Sequence, residues 1–159
     1  MPNVDPDDGG VAALALFLLE TPGPRAVNSD FVSRDNPDPS ARNMGIELDR
    51  SGFQRSEVVI WNVVPHCLST AIKNSNATLA QIRAAAADTQ AFIDTLRQLR
   101  VVVFCGRKAQ LAQKCIRLPA FVQGLSTFHP GAMSYNHRDR REHMQMTFKA
   151  ARRLTLSKH

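Results

Sequence analysis

The feature that most restricts the fold is an alternation of two hydrophobic patterns along the chain. Val11-Ala-Ala-Leu-Ala-Leu-Phe-Leu-Leu19 is continuously apolar and stops abruptly at Glu20-Thr-Pro-Gly-Pro24. A buried helix can carry such a run, but the hard stop in loop-forming residues favours a strand covered on both faces. Val58-Val-Ile-Trp-Asn-Val-Val64 and Val101-Val-Val-Phe-Cys105 repeat the pattern with β-branched residues, and Gln123–Phe128 is a fourth, weaker strand. Helical segments separate them. From Thr78 to Leu99, Leu79, Ile82, Ala86, Ile93, Leu96 and Leu99 fall near one face. Further helices are expected from about Asp38 to Arg50, with Asn36 or Asp38 as cap, from Lys108 to Cys115, and from Arg138 to Leu154. Residues 24–37 read as loop and Asn74–Ala77 as a turn. Residues 1–10 read as a loose lead-in to one domain over residues 11–159.

Strands alternating with helices predict an α/β fold, a three-layer α/β/α arrangement around a four-stranded, mainly parallel sheet. Such sheets carry their sites at the carboxyl ends of the strands. Three of the four strands end in polar or Gly/Pro chemistry: Glu20-Thr21-Pro22-Gly23, Asn62, and His129-Pro130-Gly131. The topology brings these ends together.

Charge narrows the choice of partner. The chain is basic, with net charge +6 and pI about 9.8. Residues 1–60 are acidic, with 5 Arg against 10 Asp and Glu, so the positive charge is segregated into the second half. That balance favours an anionic partner, nucleic acid first. Arg138, Arg141, Lys149 and Arg152 recur on one side of the last helix, opposite Met144, Phe148 and Ala151. The three cysteines, Cys67, Cys105 and Cys115, are odd in number and form no CxxC, which argues against disulfides and a zinc site. An acidic N-terminus and short apolar runs argue for a cytoplasmic protein without membrane contact. The absence of GxGxxG and GxxxxGK[ST] argues against a nucleotide cofactor. Nothing in the composition suggests an oligomer, so a monomer is expected.

Five segments, in order, resemble motifs of the uracil-DNA glycosylase superfamily, most closely the bacterial branch with Glu-Ala-Pro-Gly first and His-Pro-Ser or His-Pro-Gly last. They are Leu19-Glu-Thr-Pro-Gly23, Asp30-Phe-Val-Ser-Arg-Asp-Asn36, Trp61-Asn-Val-Val-Pro65, Phe104-Cys-Gly-Arg-Lys-Ala109 and Phe128-His-Pro-Gly-Ala-Met133. The resemblance implies a base-excision enzyme acting on DNA that contains uracil or related damaged bases. It assigns base stacking to Phe31 and base reading to Asn62. His129 would donate to the departing base. Pro130, Gly131 and Met133 would form a minor-groove loop, and Arg138 and Arg141 would contact phosphate. The best-studied branch has an activating Asp where Thr21 stands, so the water-positioning residue is expected among Glu20, Thr21 and the residues Ser29 to Asn36, with Glu20 first. Gly23 replaces a bulky aromatic that excludes thymine, which predicts relaxed base choice. Some relatives hold an iron–sulfur cluster on four cysteines; the three here, wrongly spaced, predict none, and no metal or other cofactor. The alternative is a nucleic-acid-binding member with weak or no excision activity.

Overall fold

A computed structural model of the protein describes residues 1–70 and 75–157. Its strands are β1 (Asn3–Val4), β2 (Ala15–Leu19), β3 (Phe31–Val32), β4 (Val58–Asn62), β5 (Val101–Cys105) and β6 (Gln123–Thr127). Its α-helices are α1 (Pro24–Ser29), α2 (Pro39–Ser51), α3 (Leu79–Thr95), α4 (Arg107–Ala112), α5 (Ala132–Tyr135) and α6 (Arg138–Leu156). The central sheet has the order β4-β2-β5-β6 and all its pairings are parallel.

The period of two along β2 explains the layering. Leu16 and Leu18 pack with Val59, Val102 and Phe104 under α3 and α4, against Ile82, Ile93 and Ala109. Ala15 and Phe17 point the other way, packing with Val58, Ile60 and Val103 against Met44 and Leu48 of α2 and Met144, Phe148 and Ala151 of α6. With two apolar layers to satisfy, the strand is continuously hydrophobic, and Ala15 to Leu18 are fully buried. Met144, Phe148 and Ala151 are buried as their spacing predicted.

Several local expectations are corrected. The first strand begins at Ala15, not Val11, because Gly10 at φ +53 turns the chain through a 3-10 turn, Gly10–Ala12, that leaves Val11 exposed. Residues 24–37 are not all loop. Pro24 opens α1 at a position where its missing N–H costs nothing, and the left-handed Asp30 (φ 65) ends it. The first ten residues are not loose. β1 pairs in parallel with β3, while Asp5 and Asp8 are buried and ion-paired to Arg55. Thr78 caps α3 through a capping box with Gln81, but the helix ends at Thr95 because Leu96 leaves helical geometry. Leu96 and Leu99 pack into the core from the connection that follows. The helix expected to Cys115 is α4 followed by a 3-10 turn, Gln113–Cys115. The turn expected at Asn74–Ala77 begins outside the described residues. No described helix is long and apolar enough to cross a membrane.

Candidate active site

The strand order reverses direction at β2 and β5, and ligands of open parallel sheets lie outside the strand ends at such a point. A cavity of about 320 Å³ opens there. Thr21 and Gly23 from the turn after β2, Asn62 from the end of β4, and His129 from the segment after β6 all line it. The remaining wall comes from α1, the residues around β3, Ile60 of β4 and the first half of α2, including Arg25, Val32, Arg34, Asp38 and Met44. The sheet thus assembles three of the sequence-predicted segments on one opening.

Asn62 is almost wholly buried at 1% exposure, and its Nδ2 has no hydrogen-bond partner among the described residues. A buried amide N–H left unpaired is costly and uncommon, which makes this group poised for an acceptor that enters the cavity.

His129 is set by its neighbours. The Gly131 N–H donates to Nδ1 at 2.9 Å, so in the neutral ring the proton sits on Nε2, which is left as a donor. Burial lowers the pKa of His129, opposed by the negative charge of Asp38, and the lowering favours the neutral ring. Two glycines make room for the side chain. A Cβ on Gly106, which lies at φ +93, would come within 3.0 Å of the His129 Cβ, and one on Gly131 within 2.9 Å of Nδ1. The loop itself is tied to α2, where Asn43 Nδ2 donates to the Pro130 carbonyl at 2.8 Å.

Two predicted residues stand elsewhere. Glu20 does not line the cavity; its Oε1 accepts from the Ala77 N–H at 2.6 Å, so the carboxylate secures the approach to α3. Phe31 does not line the cavity either. Strand alternation in β3 directs Val32 into the wall and turns Phe31 away. Gly23 has open space where a Cβ would be, leaving that edge of the cavity wide.

Met133, next in sequence to the cavity-lining Ala132, is 88% exposed in α5, which excludes a core role. Arg138 is exposed and paired with Glu142 at 2.9 Å. Arg141 donates to the Tyr135 carbonyl and lies over the Tyr135 ring. Arg152, on the same predicted stripe, is a structural contact, paired with Glu57 at 3.0 Å and stacked on Phe53. Arg140, 5.5 Å from the centre of the half-exposed Phe128 ring, places beside the residue that precedes His129 a cation that the stripe did not include.

Sequence reasoning missed three supports of the site. Asn43 and Glu47 are buried on the apolar face of α2, and Glu47 accepts from the Tyr135 hydroxyl at 2.6 Å. That contact and burial push the Tyr135 hydroxyl up to about 12. Polar residues four apart within a stripe of Met44 and Leu48 were the available signal. The third is an ionic brace: Arg55 bonds Asp5 at 2.6 Å, Asp8 at 3.0 Å and Asp35 at 2.7 Å. Its partners lie too far apart in sequence to be paired by pattern.

A three-layer α/β sandwich with a cavity at its strand ends, lined by a buried amide and an imidazole, has the form of a ligand site of an open parallel sheet. The chain belongs to the uracil DNA glycosylase superfamily, whose sequence model matches residues 17–152, from within β2 well into α6. No curated protein matches it. Membership supports a glycosylase-type function on DNA.

Proposed function

We propose that the protein is a DNA glycosylase that flips uracil out of the helix and hydrolyses its N-glycosidic bond in base-excision repair. The observation that carries this reading is the pairing, in one cavity, of the unpartnered Asn62 amide with the neutral His129 ring. Chemistry on a base requires that it leave the stack and enter a pocket. Uracil presents O4 and N3–H on one edge, which an amide matches with one donor and one acceptor. Cleavage of the bond between C1′ and N1 leaves negative charge on the base, and a neutral imidazole N–H at O2 stabilises it without an ionic ground-state bond. Met133, exposed beside the cavity, suits an apolar wedge entering the vacated base step. The arginines at the start of α6, Arg138 and Arg140, suit phosphate.

Incubation with uracil-containing single- and double-stranded oligonucleotides, followed by alkali, tests the reading. Strand breaks at uracil are expected, and they vanish in Asn62→Ala and His129→Ala. The open space at Gly23 favours release of thymine or ethenocytosine opposite guanine as well; robust uracil release with none of these would sink that extension. Thr21 in place of an acid, and Glu20 engaged by Ala77, favour the second reading, a DNA-binding member without excision. Salt-sensitive binding with no strand breaks would establish it.

A further inference from the structure

Hydrolysis of a glycosidic bond needs a group that holds and deprotonates water, and it benefits from negative charge beside the sugar as C1′ becomes cationic. The acid nearest the first motif, Glu20, is committed to the Ala77 N–H and does not line the cavity. Thr21 does line it but carries no charge. Among the described residues, the cavity wall contains a single carboxylate, that of Asp38. We propose that Asp38 is the water-positioning carboxylate of this site, replacing the acid missing from the turn after β2; this deepens the glycosylase reading above and rests on it.

Three observations carry the inference. Asp38 caps α2, with Oδ1 accepting from the Ala41 N–H at 2.9 Å, so its position is fixed by the helix rather than by a flexible loop. It is only half-buried, so water reaches it. It lines the same cavity as His129, so the acid and the leaving-group donor share one wall, and its negative charge opposes the lowering of the His129 pKa. Arg25 and Arg34 are the cations of the same wall. The site would therefore hold one anion for the sugar and an imidazole N–H for the base.

The step balances as follows. The bond between C1′ and N1 breaks, and its electron pair departs with uracil as an anion held by the His129 Nε2–H and the Asn62 amide. The oxygen of a water on Asp38 bonds to C1′. The proton of that water passes to the Asp38 carboxylate and then through solvent to the released uracil.

Asp38→Asn is the test, because asparagine caps a helix as well as aspartate does and fold should be retained. Single-turnover uracil release should fall at least about 100-fold, with affinity for uracil DNA within threefold of wild type. Asp38→Ser, which also caps, should show the same loss, and Glu20→Gln should stay within threefold. Thermal unfolding of each variant reports whether the fold survives. Release by Asp38→Asn or Asp38→Ser within threefold of wild type would overturn the role of Asp38 and leave the glycosylase reading standing. A loss in Glu20→Gln as deep as in Asp38→Asn, with its fold intact, would also overturn it. No release by the wild-type protein would instead overturn the glycosylase reading, and this inference with it.

Discussion

Asn62→Leu should make the protein more stable and less active. The side chain branches at the same atom but carries no donor. In the native protein Nδ2 is buried without a partner, so the desolvation of one N–H group is not repaid. Such a group costs about 1–3 kcal/mol. Taking the lower part of that range, replacement should add about 1 kcal/mol, which raises Tm by roughly 2–4 °C for a domain of this size. The same substitution removes the strand-end amide that would read a base edge, and excision should fall by at least about 10²-fold. Circular dichroism melts give the first quantity and single-turnover release of uracil the second. Binding to DNA that already carries an abasic site should be nearly unchanged, because no base occupies the cavity there. A fall in Tm of more than about 2 °C would refute the reasoning. It would mean that the amide holds the folded chain together and is not waiting for a ligand.

Other perturbations reach different parts of the site. Gly106→Ala forces a side chain into φ +93 and drives its Cβ to 3.0 Å from His129, so stability should fall by about 1–3 kcal/mol and excision should fall further than the fold does, checked by activity well below the new Tm. Met133→Ala should lower release from duplex DNA several-fold and spare single-stranded DNA, since an exposed wedge matters only where a base step must be held open; equal losses on both substrates would exclude a wedge. Burial pushes the Asp8 carboxyl up to about 6, against the pull of Arg34 and Arg55. A pKa raised on folding gives stability that is present below the unfolded value near 3.8 and lost as pH rises through about 6. Asp8→Asn abolishes that loss, so the stability of the variant relative to wild type should improve between about pH 4 and pH 7, measured by denaturant melts; a constant difference would count against it.

The layers of the fold were legible because β2, β4 and β5 are covered on both faces and each long helix on one; the first demand leaves an unbroken apolar run and the second a helical period. Asn62 was legible for a similar reason: a polar residue interrupts an apolar strand and must have a use. His129 could be singled out by its glycines and proline, although the reason for them, space for the ring against Gly106 and Gly131, is visible only in three dimensions. What escaped was set by contacts between distant residues. Phe31 lies in the right segment, but a two-residue strand pairing with Asn3 and Val4 fixes which side chain faces inward, and that pairing has no local signature. Glu20 likewise stands beside the site in sequence, yet a backbone N–H 57 residues away claims it. Asp38 was legible as a helix cap, and nothing in its neighbourhood indicated that the capped end would face the cavity.

The Arg55 brace has a practical consequence for any shortened version of the protein. A chain cut to the family boundary at Phe17 would lack β1, Asp5 and Asp8, which hold β3 and the Arg34 segment against the start of β4. The sheet would keep most of β2, and its other strands could still form. The outer wall of the cavity would lose its anchor, and the guanidinium of Arg55 would keep only Asp35. The head of the chain, which has no motif of its own, is in this sense the hinge pin of the cavity, and recombinant versions should leave it intact.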